Sequence, residues 1–477
     1  MSARRTFLLI SATALLTGCA LQAGAPAQPD IPAAFDNISA ARGQWPAQQW
    51  YRDFGSDELD GFIDLAVKSN SDLASARARV SQADARARQA GSAILPTVDA
   101  VGNGNYLAGH SSQGGGHEFD WSALLSASYE VDFWGKNRAT ADSARLLAGA
   151  SRAEQDAVAL TALAGVANGY FQLLALRERL MVAQANRDTA QKLLAVVQAR
   201  FDVQVASPID LATQKAAFNV AQISISDLQQ SEAEARTALS ILLGRAPEQF
   251  EVEGQPLDSL REPTVAAGLP SELLTRRPDV YLAEVNLRAG QADLVAARAA
   301  MFPTLSLTAS GGVQNPALPA TVLTIPGIGP SVALGANLVQ PIFDHGKLKA
   351  QRDEVQAKNL ELLAAYRASI VAALGDVENA LAAIQHLNQA REFQVENVAQ
   401  SERAFEGAKL RYQAGSLDFL TMLEAQRTLY AARDQFIQYK LARLQALVGL
   451  CKALGGGWSQ PQMQSSASSM KTENTGS

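Results

Sequence analysis

Leu16-Thr17-Gly18-Cys19 ends a segment in which Arg4 and Arg5 precede an apolar run from Phe7 to Leu16. Basic residues, a short apolar stretch and small residues before a cut are the marks of an exported precursor. A cysteine at the cut fits the pattern at which bacteria cleave a precursor and lipidate the new first cysteine. The run is shorter than the roughly 20 apolar residues that span a bilayer. Acyl chains on Cys19 would bury at about 0.8 kcal/mol per methylene, giving an anchor rather than a span. Ala20 stands where an aspartate favours retention at the inner membrane in lipoproteins as a class, which points the anchored chain to the outer membrane.

Other chemistry is sparse. Four histidines are scattered, and His110 and His117 have no partners at zinc spacing. Gly135-Lys136 and Gly346-Lys347 lack the upstream glycine and the following hydroxyl of a phosphate loop, and they read as turn residues between strands and helices. No convergent nucleophile, base or metal set is visible, so the sequence points to no enzyme, no cofactor and no metal. Cys451 is the only other cysteine, which leaves no intramolecular disulfide once Cys19 is acylated, and it reads as a small buried hydrophobe. The formal charge of −6 falls to about −8 when Arg4 and Arg5 leave with the signal, so nucleic acid is excluded as a partner.

The elements that hold these residues repeat. Asp72–Pro96 superposes on Asp279–Pro303 with a shift of 207 positions. Leu73, Ala76, Val80, Ala83, Ala87, Ala90 and Ile94 fall on Val280, Ala283, Leu287, Gly290, Leu294, Ala297 and Met301. Steps of three and four make a helical seam of small residues, and each helix stops at a proline. Further on the shift becomes 211: Gly135-Lys136 matches Gly346-Lys347, Arg200-Phe201 matches Arg411-Tyr412, and Leu243-Gly244 matches Leu454-Gly455. The difference places one altered connection after Pro96 and before Gly135.

Each repeat reads as helix, two strands, a very long helix, a sharp break and another helix. In 304–313, Leu305, Leu307, Ala309 and Val313 alternate with small polar residues. In 121–132, Trp121, Ala123, Leu125, Ala127, Tyr129 and Val131 alternate with polar or charged residues at Ser122, Ser126, Ser128, Glu130 and Asp132. Such period-2 segments of about ten residues fit a transmembrane β-barrel, and equally a soluble sandwich. Tyr106 and Trp121 suit a membrane interface. Ala108–Phe119 and Asn315–Gly329 read as exposed loops. Four strands cannot close a barrel, and an open edge is not tolerated in hydrocarbon, so several chains would share one. Residues 346–413 read as one helix of roughly 100 Å. Its seam lapses at Arg391 and Gln394, marking a change of packing partner. A plain coiled-coil tether would keep these helices but needs no barrel strands.

At this resolution of detail the chain resembles the outer-membrane efflux proteins of the TolC-like type, and most closely their OprM-like lipoprotein branch, from about Trp50 to Leu454. The resemblance is carried by Arg277-Pro278-Asp279-Val280 with Ala283-Glu284, by Ala299-Ala300-Met301-Phe302-Pro303-Thr304-Leu305, and by Gly375-Asp376-Val377-Glu378-Asn379-Ala380-Leu381. Arg411-Tyr412-Gln413-Ala414-Gly415 and Leu420-Thr421-Met422-Leu423-Glu424-Ala425-Gln426-Arg427 complete it.

The resemblance implies a mainly α, internally duplicated fold with a long-helix periplasmic α-barrel and four β-strands per protomer in a shared trimeric 12-stranded barrel. It implies a homotrimer in outer-membrane lipid, served by a periplasmic adaptor and an inner-membrane pump of RND or related type. The function implied is passive export of small molecules, with a duct for type I protein secretion as the alternative. The segments are then a signal peptide (1–18), a lipid-anchored extended segment (19–58), a first repeat (59–244), a linker (245–270), a second repeat (271–455) and a disordered tail (456–477). At the periplasmic end, Leu420 would form an apolar ring and Glu424 an acidic one, brought together by three-fold symmetry and favouring cations. Thr421 stands where some members carry a second acid, and Asp210 holds the matching place in the first repeat. Gln204 in place of a glycine, with Pro208 in the turn, leads us to expect that the two turns differ in shape.

Overall fold

The computed structural model describes residues 45–111, 114–265, 270–315 and 329–460, with a few isolated residues outside those ranges. The signal segment, Cys19 and the tail beyond residue 460 lie outside the described residues. The chain divides into two compact units. Each takes stretches from both sequence repeats.

The helices are α1 (Asp57–Ser69), α2 (Ser71–Ser92), α3 (Lys136–Asp202), α4 (Pro208–Leu242), α5 (Pro278–Ala299), α6 (Lys347–Gln413) and α7 (Phe419–Ala453). The strands are β1 (Thr97–Ser111), β2 (Gly114–Val131), β3 (Thr304–Asn315) and β4 (Gly329–Val339). The duplication is faithful: α2 and α5 have 22 residues each, α3 and α6 have 67, and α4 and α7 have 35. Residues 132–135 join β2 to α3, whereas 340–346 join β4 to α6. Most of the change from a shift of 207 to one of 211 therefore arises where the second strand pair hands over to its helix. At both handovers an aspartate caps the long helix: Asp132 accepts the amides of Asn137 (3.0 Å) and Arg138 (2.8 Å), and Asp344 accepts those of Gly346 and Leu348 (both 2.9 Å). Both carboxylates thus lie at the positive end of a helix dipole.

The first unit holds an antiparallel sheet in the order β1-β2-β3-β4. Its register aligns the alternating residues into rows. Val98, Ala127, Ala309 and Leu334 form one row and Ala100, Leu125, Gly311 and Val332 another, while Asp99, Ser126 and Ser310 lie on the opposite face. The apolar face is open, with Val332, Leu334, Leu338, Leu125 and Val98 exposed. Among the described residues β1 and β4 are edges with one side unpaired. The structure corrects the loop expected at 108–119. Residues 108–111 and 114–119 continue the β1–β2 ladder, with Ala108 opposite His117 and Ser111 opposite Gly114. Ladder bonds join backbone groups, so a glycine-rich stretch loses side-chain packing without losing the bonds. The expected loop at 316–328 lies outside the described residues.

Among the described residues the second unit holds the largest apolar core, with Trp50, Phe54, Leu59, Ile63, Tyr170, Phe171, Leu239 and Leu243 at its centre. Fully burying each such side chain contributes about 1.5–3 kcal/mol. The segment that links the repeats is fastened to this unit by charges. Glu58 accepts the amides of Glu253 (2.7 Å) and Gly254 (3.0 Å) and the Tyr170 hydroxyl (2.9 Å), while Arg177 donates to the Val252 carbonyl (2.8 Å). Matched glycines end α4 and α7. A Cβ on Gly244 would stand 2.2 Å from the Ser69 carbonyl oxygen, and one on Gly455 would stand 1.9 Å from that of Arg276. Only glycine allows that approach.

Candidate functional site

The sharp break between long and short helix is the place where the gate was expected, and each repeat makes it from five residues, 203–207 and 414–418. The two breaks are built alike. Val205 N bonds Arg200 O (2.8 Å) and Gln204 N bonds Phe201 O (2.9 Å), while Ser416 N bonds Arg411 O (2.9 Å) and Gly415 N bonds Tyr412 O (3.0 Å). This is the Schellman helix stop, which needs a left-handed residue just after the C-cap, two places past the last helical residue. Gln204 takes it with φ 62° and Gly415 with φ 77°. The expected difference in shape is therefore absent from the helix stops: Gln204 accepts the conformation that glycine adopts freely.

The next helix starts with a cap whose acid has changed ends. In the first repeat Ser207 Oγ accepts the Asp210 amide (3.1 Å) and Asp210 accepts the Ser207 amide (3.0 Å), a reciprocal capping box with Pro208 in the first turn. In the second, Asp418 is the cap. It accepts the Thr421 amide (2.9 Å) and the Thr421 hydroxyl (2.7 Å). Acid and hydroxyl have exchanged places, so Thr421 is the partner of an acid at 418. The bonds from Thr421 hold the Asp418 carboxyl below the usual carboxylate range.

These turns rest on a second core cluster, Leu193, Val197, Leu211, Phe405, Tyr412, Phe419, Met422, Leu423 and Leu429. Arg200 ties one turn to the other. Its guanidinium donates to the carbonyls of Tyr412 (2.9 Å) and Gln413 (3.1 Å) and lies 4.4 Å over the Tyr412 ring. It thereby fills helix-end carbonyls that have no partner within α6. Sequence reasoning marked Arg200 as a repeat position and missed this role, which only the fold reveals.

Leu420, Thr421 and Glu424 come together with Thr213, Ser401 and Arg427 around an open cleft of about 530 Å³. Leu420 is 62% exposed although Met422 and Leu423 beside it are buried. Glu424 is exposed and forms no ion pair among the described residues. Asp210 does not line this cleft, and its carboxylate is held by its own cap.

The motif residues quoted above gather elsewhere in the second unit. Arg277, 8% exposed, donates to Asp279 (2.6 Å), Asp376 (3.0 Å) and the Ala453 carbonyl (3.1 Å). Burial alone would raise Asp279, but Arg277 outweighs it and holds that carboxyl low. A cleft of about 480 Å³ lies against this cluster. Every donor of it that faces inward is satisfied, which is what an anchor between α5, α6 and α7 requires.

The outer membrane efflux protein family model matches residues 62–245 and 269–456. The chain belongs to this outer membrane efflux protein family. It is 41% identical over 472 residues to the pyoverdine export outer membrane protein OpmQ of Pseudomonas aeruginosa PAO1, covering 94% of this chain and 96% of that protein. The solved structure of the outer-membrane channel OprN matches with TM-score 0.84 at 24% identity, over 92% of this chain and 99% of that one. The open state of the Neisseria gonorrhoeae MtrE outer membrane channel matches with TM-score 0.80 at 30% identity, over 92% and 99%. The efflux protein is thus an outer-membrane channel of an efflux system and not an enzyme, with the mainly helical, duplicated fold of that family.

Proposed function

We propose that this efflux protein is the passive exit duct of a tripartite system, a homotrimer that receives small molecules from an inner-membrane pump through a periplasmic adaptor. The observation that carries the trimer is the four-stranded sheet with an exposed apolar face and two edges unpaired among the described residues. Such edges are tolerated in hydrocarbon only when paired, so the β1 edge of one copy meets the β4 edge of the next and three copies make a closed barrel of twelve strands. Acylation at Cys19 holds the assembly to the membrane. Likeness to a pyoverdine exporter at 41% identity supports a small-molecule cargo over protein secretion.

In this reading the periplasmic mouth is set by the second-repeat turn. Leu420 is an exposed leucine on the first turn of α7, and Glu424 follows one helical turn later on the same face. Three copies bring three leucines and three carboxylates around one axis, giving an apolar constriction next to an acidic ring that favours cations. Thr421 stabilises the turn through Asp418, and Asp210 does so in the first repeat.

Single-channel currents from the purified mature lipoprotein in a planar bilayer test this. The expected result is a low, cation-preferring conductance that rises and loses its preference in the Leu420→Ala plus Glu424→Ala variant. Currents unchanged in that variant would place the gate elsewhere. Silent, well-folded trimers would favour a non-conducting tether.

A further inference from the structure

Two glutamines reach α3 from different helices and enter the core to do so. Gln214 on α4 is fully buried and donates through Nε2 to the Ala190 carbonyl (2.9 Å). Gln426 on α7 is 6% exposed and donates through Nε2 to Asn186 Oδ1 (3.1 Å). Asn186 and Ala190 stand one helical turn apart on the same face of α3, so both glutamines belong to one polar layer. On α3 this layer falls between Ala183, which shares an apolar cluster with Leu176 and Leu228, and Leu193 of the cluster on which the turns rest. Neither Gln214 Oε1 nor Gln426 Oε1 has a hydrogen-bond partner among the described residues. Leaving a buried carbonyl oxygen unpaired is costly, and nearly all such atoms in folded proteins are paired, by protein or by ordered water. Turning the amides over does not remove the need. The Ala190 carbonyl can only accept, so the NH2 of Gln214 must face it and the oxygen is the end left over. Reversing Gln426 together with Asn186 keeps their bond and leaves the Gln426 nitrogen unpaired instead.

We propose that this layer is a hydration site, in which Gln214 and Gln426 each hold one buried water at the outer end of the side-chain amide. Water fits the chemistry of the layer on three counts. It donates to an oxygen or accepts from a nitrogen, so it satisfies Gln426 in either orientation. It needs two to four polar partners and little room. It is neutral, as the layer is: three side-chain amides and one backbone carbonyl offer no carboxylate, whereas a hard divalent cation takes about six oxygen ligands. A supply of solvent is close, because Thr213, next to Gln214 in the chain, lines the open cleft that also holds Leu420 and Glu424. Two apolar clusters of the helical bundle thus meet across hydrated amides and not through a dry contact. The site is built from α3, α4 and α7 of one chain, and it stands whether or not the trimer reading does.

A crystal structure of the full-length lipoprotein, at a resolution that shows ordered water, reads the site directly. The expected result is one density peak about 2.6–3.2 Å from Gln214 Oε1 and a second at that distance from the outer end of the Gln426 amide. Methionine keeps the length of glutamine and removes its amide. In Gln214→Met the first peak should vanish and the second stay, and in Gln426→Met the reverse should hold. The unaltered protein carries the test by itself should either variant fail to fold. Crystals transferred into rubidium chloride separate water from a monovalent cation, since rubidium scatters anomalously and water does not. No anomalous peak is expected in the layer. A missing peak at either glutamine, a protein donor bonded to its oxygen, a peak that survives the matching methionine variant, or rubidium at either position would overturn the hydration site.

Discussion

Replacing Gly415 by alanine and Gln204 by glycine should move two equivalent turns in opposite directions. Both residues sit in the left-handed region two places past a 67-residue helix, with φ 77° and 62°. A Cβ on Gly415 would meet nothing within 4 Å, so the cost of Gly415→Ala is that of backbone conformation alone. The left-handed conformation costs a non-glycine residue about 1–2 kcal/mol. The greater freedom that glycine loses on folding offsets about 0.5–1 kcal/mol of this. The net cost is about 0.5–1 kcal/mol, a two- to five-fold increase in local opening, and Gln204→Gly gains the same amount. Hydrogen–deuterium exchange read in peptides covering 411–418 and 200–207 measures both. Gly415→Ala should speed exchange in the first and leave the second alone, and Gln204→Gly should slow exchange in the second. Gly455→Ala is the internal contrast, because its Cβ would stand 1.9 Å from the Arg276 carbonyl oxygen and backbone would have to shift. That clash adds about 1–3 kcal/mol and destabilises the second unit as a whole. Equal small effects at 415 and 455, or faster exchange in Gln204→Gly, would refute the conformational argument.

Two further outcomes follow from charge and burial. The Asp418 carboxyl lies below its ordinary value because Thr421 bonds to its charged form, so its support of α7 is complete above that ordinary value and lost as pH falls through the lowered one. Exchange of the Thr421 amide, corrected for intrinsic rate, should accelerate in that acid range in the native protein and stay flat in Asp418→Asn. Burial pushes the Cys451 thiol up to about 12, so it should resist maleimide at neutral pH until the protein is unfolded. After denaturation, mass spectrometry should then find one label per chain if Cys19 is acylated. Two labels would remove the anchor.

Several of these features were legible in the sequence because they repeat or alternate. The duplication, the strand periodicity and the long helices are set by which positions must be apolar, and those leave a pattern at periods of two, three and four. The lapse at Arg391 and Gln394 was also legible, as an absence of seam residues on α6. What stayed hidden depends on backbone conformation or on distance in the chain. Gln204 looked like a change of turn shape because glycine is the common left-handed residue, yet a single glutamine tolerates that conformation at modest cost. The strands through Ala108–Ser111 looked like loop because composition records side chains, whereas a ladder is held by backbone bonds. Arg200 reaches a helix end more than 200 positions away, and no local pattern encodes such a contact.

The exchange of cap residues bears directly on which acid carries charge at the mouth. Among the acids near the two turns, Asp202 accepts from Gln198 (2.9 Å), Asp210 accepts the Ser207 amide and Asp418 accepts twice from Thr421. Each of these carboxylates spends a lone pair on the fold. Glu424 alone has no partner among the described residues, and it stands on the same exposed face as Leu420. A carboxylate bound to backbone amides has part of its charge neutralised by them, whereas a solvated one presents its full charge to a passing ion. Placing the acid at 418 or at 210 therefore satisfies helix capping in either repeat without fixing the charge of the mouth, and that charge falls to position 424. In the bilayer assay Glu424→Gln should accordingly remove most of the cation preference, while Asp210→Asn, which keeps an acceptor for the cap, should leave it. The reverse order would mean that the mouth is lined by the first repeat.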